Sequence, residues 1–228
     1  MIEASRRQRI AWMAALAAAC VVAALAAVRL AVNVGFDWWT LPALVVGMAA
    51  ADLASGLVHW SADTWGHDDL PVVGRRLLVP FRLHHLDPDD LTRRRFADCN
   101  GDVAAIALPV LAGLLVVPLD RIWPAPAVAI FGFAGVGMWT NQIHKWAHLP
   151  APPRLVRLLQ NAHVILGRRE HERHHHDRYD SHYCITTGWW NRPLEAVQFF
   201  RRAEALVTFV TAAEPRQDEH RYLRGARS

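Results

Sequence analysis

Imidazole is the commonest metal ligand among side chains, and this chain groups its histidines at helical spacing. His144 and His148 are four apart, with Asn141 three residues before His144. His171, His174 and His175 are separated by three and four, and His84 and His85 are adjacent. Asp52, His59 and Asp63 fall at i, i+7 and i+11. Residues three and four apart share a helix face, so each group can aim its donors at one point. Eight or more imidazoles exceed one tetrahedral site and suffice for two ions with open positions. Imidazole suits zinc, copper, iron and nickel. Two adjacent irons can activate dioxygen and abstract hydrogen from an unactivated carbon, which redox-inert zinc cannot. The aspartates either orient imidazoles or bind metal directly. Asp52, Asn141 and His163 are candidates to stand behind the ligands. His67 and His220 read as solvated, His176 and His182 as extras.

These groups need elements to bring them together, and the hydropathy pattern supplies them. Four apolar blocks run Ile10–Val28, Trp38–Trp60, Val103–Leu119 and Ala125–Trp146. Each is long enough, or nearly so, to cross a hydrocarbon layer of about 30 Å. The pattern predicts an all-α, multi-span membrane protein of about four transmembrane helices with a histidine-rich helical cap. The first block follows three arginines and contains "AAAC", so a cleaved signal segment is the alternative reading there. Blocks three and four, joined through "DRIWP", predict an antiparallel hairpin. Gly132, Gly135 and Gly137 predict close helix approach. Arginines crowd the N-terminus, the segment between blocks two and three, and everything after block four. The positive-inside rule then puts both termini and the histidine groups on the cytoplasmic side of what we expect to be a bacterial inner membrane. Trp38, Trp39 and Trp123 are expected at the outer interface, Trp60 and Trp146 at the inner one. Residues 147–203 carry short apolar stripes that predict amphipathic helices at the membrane surface.

The net charge of +4 is too mild and too dispersed for a nucleic-acid partner. Three scattered cysteines, Cys20, Cys99 and Cys184, predict free thiols. "HERHH" at 171–175 spells the H-E-x-x-H of zinc proteases, with Glu172 as the base. Its surroundings, "GRREHERHHHDRYD", carry no apolar stripe to bury such a helix, and a zinc protease would leave His59, His84, His85, His144 and His148 without work.

Several stretches taken together resemble the Kua-type membrane lipid desaturases, the family of plasmanylethanolamine desaturase. They are "DLASGLVHWSADTWG", "PFRLHHLDPDDLTRRRFADCNGD", "NQIHKWAH", "LLQNAHVIL", "HERHH" and "YCITTGWWNRPLE", in the family's order across roughly residues 52–203. The resemblance implies that His59, His84, His85, His144, His148, His171, His174 and His175, with Asp63, hold two Fe ions. It implies O2-dependent desaturation of an intact phospholipid close to its headgroup. The product would be the vinyl ether of a 1-O-alkyl phospholipid or, as in a plant branch, a trans double bond in an acyl chain of phosphatidylglycerol. Electrons would come from a separate cytochrome b5-like or ferredoxin-like protein, since no flavin, haem or iron–sulfur motif is present. Arg82, Arg93, Arg94 and Arg95 are candidates to meet a lipid phosphate, or are topology charges. The expected division is an N-terminal helix outside the resemblance (1–36), a desaturase domain (37–203) and a helix end with a disordered tail (204–228). Two other classes stay open: a zinc metalloprotease at "HERHH", and a non-enzymatic membrane scaffold or metal sensor.

Overall fold

The computed structural model describes residues 4–119, 124–176 and 179–216. Among them every regular element is helical. Four apolar helices build the body: α1 (Arg6–Val34), α2 (Thr40–Thr64), α5 (Phe96–Val116) and α6 (Pro124–Gly137). Between α2 and α5 lie a single π-turn (Gly74–Leu78), α3 (Val79–Leu86) and α4 (Pro88–Arg93). After α6 come α7 (Thr140–His148), α8 (Arg154–Asn161), α9 (Arg168–His175), α10 (Asn191–Ala196) and α11 (Phe199–Thr211). Ser5 starts α1 by accepting the Gln8 amide, and Gly35 at φ 72° ends it.

The helices α1, α2 and α5 are long and apolar enough to cross a membrane. The fourth expected span is two helices rather than one. α6 has 14 residues, about 21 Å at ~1.5 Å per residue, short of the ~30 Å layer. It breaks after Gly137, where the Trp139 amide bonds Val136 three residues back instead of four. The Thr140 hydroxyl then pairs with that of Thr186, which starts α7 on a polar course.

α1 runs parallel to α5. Trp12 donates to Asp102 at one end and Arg29 donates to the carbonyls of Leu114 and Val117 at the other. α2 runs parallel to α6, Gly47 meeting Ala129 and, further along both helices, Ala51 facing Gly137, and glycine at the crossing lets the two approach closely. A Cβ on Gly47 would lie 2.0 Å from the Ala129 carbonyl oxygen, and one on Gly132 would lie 2.6 Å from that of Leu44. Leu114 packs with Ala127, and Ala104 and Ala107 with Ala134 and Met138, so α5 and α6 are antiparallel. Residues 120–123 of their connection, Trp123 among them, fall outside the described residues. The starts of α1 and α5 and the ends of α2 and α6 therefore share one end of the bundle, where the histidine helices sit.

Trp60 does not face outward. It is buried, edge-on to Trp65 at 4.7 Å and packed on Phe200. Trp146 packs on the cluster of Ile143, Val156 and Leu166. Arg29 lies inside α1, near its end. Most of the expected tail, residues 217–228, falls outside the described residues.

Candidate metal centre

Four helices deliver the histidines to one buried point. α2 presents His59 and Asp63, α3 presents His84 and His85, α7 presents His144 and His148, and α9 presents His171, His174 and His175. Their ligand atoms form two sets, within each of which all lie within 4.8 Å of one another: His84, His144, His148, His171 and His175, and His59, His84, His85 and His174. His84 belongs to both. In the first set the Nε2 atoms of His144 and His171 are 2.9 Å apart, those of His148 and His171 2.8 Å, and those of His175 and His171 3.0 Å. In the second, His85 and His174 approach to 3.0 Å. Asp63 joins the second set, its Oδ2 lying 3.2, 3.6 and 3.8 Å from Nε2 of His59, His85 and His174.

These separations match donors around an ion. Metal–nitrogen bonds of about 2.0–2.1 Å space neighbouring donors about 2.9–3.4 Å apart. Several Nε2 atoms facing one another cannot all be satisfied by shared protons. The tautomers agree: His59 donates from Nδ1 to the Tyr183 carbonyl at 3.1 Å, and His174 from Nδ1 to that of Ser181 at 2.7 Å. Each leaves Nε2 as a free lone pair, the usual arrangement of a metal-bound histidine. Burial holds His174 down to about 3 and His148 down to about 4, and pushes His84, His85 and His171 well below the usual histidine range. The rings are therefore neutral at pH 7 and open to an ion. The Asp63 carboxylate is buried and accepts no hydrogen bond. A bare buried carboxylate is costly, and a cation beside it would offset that cost. The donor set, imidazole with one carboxylate and no thiolate, suits iron among other metals.

The segment 181–190 supports this arrangement, and Asp52 holds the segment. Asp52 Oδ1 accepts the amides of Thr186, Thr187 and Gly188 at 3.1, 2.7 and 2.9 Å, and Oδ2 accepts that of Trp190 at 3.2 Å. Asp52 thus touches no imidazole; it fixes the stretch whose carbonyls hold His59 and His174. Gly56 makes room for it, since a Cβ there would meet Cys184 Sγ at 2.4 Å. Asn141 donates to the Cys99 carbonyl at 2.7 Å and ties α7 to α5. His163 is exposed at the end of α8, away from both sets. His67 is exposed, His176 bonds its own helix, and His182 meets Ser181. His220 falls outside the described residues.

The "HERHH" helix divides between the two sets. His171 and His175 join the first and His174 the second. Glu172 points outward and accepts from Arg168 at 2.6 Å, so it is placed to activate nothing. Arg82 is equally spoken for: it is buried, donating to the carbonyls of Ala62, Trp65 and Gly66 and pairing with Asp68. Sequence reasoning missed Tyr179, whose ring stacks on His85 at 4.4 Å, and Tyr183, edge-on to His59 at 5.5 Å.

A cavity of about 1180 Å³ leads to this centre. Ala54, Val58, Ile106, Val110 and Phe133 give it an apolar wall that reaches the outer face of the bundle, and His84 and His144 line it on the side of the histidine sets. Its outer part is lined by arginines and by Ser5, Gln8 and Trp12 of α1. The arrangement suits an apolar chain with a polar end.

A family model described as "Lipid desaturase domain" matches residues 48–218. Plasmanylethanolamine desaturase of Myxococcus xanthus is 44% identical over 183 residues, 80% of this chain and 65% of that protein. Plasmanylethanolamine desaturase 1 of Mus musculus is 41% identical over 197 residues, 81% of this chain and 72% of that protein. Fatty acid desaturase 4, chloroplastic, of Arabidopsis thaliana is 35% identical over 181 residues, 77% of this chain and 54% of that protein. The chain thus spans about two thirds of the length of the Myxococcus relative. No solved structure matches.

Proposed function

The chain belongs to the lipid desaturase family, and on that premise we propose that it is an O2-dependent membrane desaturase acting on an intact phospholipid, converting a 1-O-alkyl ether phospholipid to its vinyl ether. The observation that carries this reading is the meeting of cavity and centre: His84 and His144 belong both to the converging histidine sets and to the cavity wall. The names of the Myxococcus and mouse relatives support the ether substrate.

Two irons would be held by His144, His148, His171 and His175 on one side and by His59, His85, His174 and Asp63 on the other, with His84 between. Iron bound there would supply the oxidation by O2 that removes two hydrogens from neighbouring carbons, with two electrons and two protons drawn from outside and O2 leaving as two waters. The chain's own residues do the positioning. Tyr183 and Ser181 hold His59 and His174 in the tautomer that frees Nε2. Ala54, Val58, Ile106, Val110 and Phe133 keep water from the substrate chain and hold it against His84. The electrons come from a separate cytochrome b5-like or ferredoxin-like protein. Both termini and the centre face the cytoplasm of a bacterial inner membrane, following the arginine distribution.

A second reading, desaturation of an acyl chain of phosphatidylglycerol, has the Arabidopsis relative behind it. The test is expression in a host that has ether lipids but no plasmalogens, with an active electron donor, followed by mass spectrometry for acid-labile vinyl ethers. We expect vinyl ethers with the natural sequence and none with His84→Ala. A new acyl double bond instead would move the assignment to the second reading. Unchanged lipids would leave a metal-binding scaffold.

A further inference from the structure

Six arginines line the outer part of the cavity: Arg9, Arg75, Arg76, Arg93, Arg94 and Arg95. Four of them are neutralised. Arg9 pairs with Asp98 at 3.3 Å, Arg76 with Asp102, Arg93 with Asp87 and Arg94 with Asp90. Among the described residues, Arg75 and Arg95 alone of the six have no acidic partner, and both are exposed. Charges placed only to set topology would not need sorting into paired and unpaired members around one opening. Two free guanidinium groups above an apolar wall fit a ligand with an anion at the head of a hydrocarbon chain, because the planar guanidinium matches phosphate oxygens in pairs.

The position of Arg95 relative to the histidines is fixed. Arg95 caps the start of α5, and the carbonyl of Arg94 just before it accepts from Lys145 at 2.5 Å. Lys145 is next to His144 in α7. One turn earlier, Asn141 donates to the Cys99 carbonyl at 2.7 Å. The Arg95 end of the opening is thus stapled to the turn that presents His144. An anion seated there would be held at a set distance from the histidine sets, and the carbons nearest the headgroup would be the ones presented to them. Part of the opening comes from α1, through Ser5, Gln8, Arg9 and Trp12, which precede the family match at residue 48.

We propose that Arg75 and Arg95 form a phosphate subsite that holds the phosphodiester of the substrate glycerophospholipid and sets which carbons reach the histidine centre. This rests on the phospholipid reading above. The test is equilibrium binding to the full-length protein in uncharged detergent micelles, read by quenching of tryptophan fluorescence. The probes are a chain-brominated alkyl-acyl glycerophosphoethanolamine and the matching alkyl-acyl glycerol without phosphate. Charge-assisted contacts of this kind are worth about tenfold in affinity each. The natural protein should prefer the phospholipid by at least that factor. Arg75→Gln with Arg95→Gln should remove the preference and leave binding of the alkyl-acyl glycerol unchanged. The double lysine variant should keep part of the preference, and Arg157→Gln, an exposed arginine on α8, should keep all of it.

Unchanged phospholipid preference in a glutamine double variant with the elution profile and metal content of the natural protein would overturn the proposal. If that variant does not fold, an unchanged preference in Arg95→Gln and Arg75→Gln taken singly would do the same. Displacement of the phospholipid by low-millimolar inorganic phosphate would assign the site to a free anion and overturn the lipid assignment. A phospholipid preference that depends on these arginines, in a protein that makes no new double bond, would sink the desaturase reading and leave the subsite standing. Turnover without that dependence would do the reverse.

Discussion

Replacing Asp63 with asparagine should move the metal-free and metal-bound proteins in opposite directions. The Asp63 carboxylate is buried, accepts no hydrogen bond, and has Oδ2 within 3.2–3.8 Å of three imidazole nitrogens. Those imidazoles are ligand candidates, and burial holds His174 neutral at pH 7. Without metal, the carboxyl either carries a charge that no bonded cation offsets or takes up a proton to shed it, and both cost free energy. Removing such a group while keeping the shape relieves a penalty of at least about 1 kcal/mol, so metal-free Asp63→Asn should melt higher than the metal-free natural protein. With metal, the same change takes away the one anionic donor of its set. Losing even an outer partner of metal ligands costs about 10–100-fold in affinity, so loss of this donor should cost at least about 1.4–2.8 kcal/mol. The stabilisation that saturating metal gives should shrink by the same amount. The assay is a melting curve in detergent with chelator and with added Fe(II), beside a competition titration for affinity. If Asp63→Asn instead lowers the metal-free melt and leaves iron affinity alone, Asp63 is an ordinary ion-pair partner of a charged histidine, and the reasoning about the centre fails.

Other substitutions separate this account from its rivals. His84→Ala should abolish turnover and lower bound iron, because His84 reaches both sets, whereas the exposed His67→Ala should do neither; the readouts are lipid mass spectrometry and metal content. Glu172→Gln should change turnover less than about twofold, since loss of an exposed ion pair costs only about 0–1 kcal/mol and Glu172 faces solvent with Arg168. Loss of lipid turnover in that variant would give Glu172 a part at the centre and contradict its outward placement beside Arg168. Gly47→Ala should destabilise the protein by about 1–3 kcal/mol, as its Cβ would fall 2.0 Å from the Ala129 carbonyl oxygen and must push α2 from α6. A melt like that of the natural protein would show that the two helices are not so closely packed.

The gathering of the histidines was legible because it rests on two robust signals. Apolar blocks locate the helices, and arginine placement orients them, so His59, His84, His85, His144, His148, His171, His174 and His175 had to meet at one end. Their division was not legible. His171, His174 and His175 are all near one helix face, yet at about 100° per residue His174 and His175 diverge enough to join different sets. Spacing says that such residues are neighbours, not which neighbour each one serves. Asp52 was visible as an intramembrane carboxylate, but its four backbone donors come from residues more than 130 positions away. The break between α6 and α7 was hidden because Gly137 and Thr140 sit inside an apolar run, and the partner that redirects Thr140 is Thr186. Arg82 and its exposed neighbours look alike in sequence. Only packing shows that Arg82 is consumed by carbonyls of Ala62, Trp65 and Gly66. The carbonyls of Tyr183 and Ser181 carry no sequence signal, since every residue has one.

The centre itself is tested most directly by counting metal. The full-length protein, purified anaerobically from cells grown with iron, should carry two irons per chain by plasma mass spectrometry. That count should fall toward zero in His84→Ala, which touches both sets, while His67→Ala keeps two. One metal per chain, or zinc in place of iron, would contradict the account of two histidine sets built for O2 chemistry at the end of a lipid cavity.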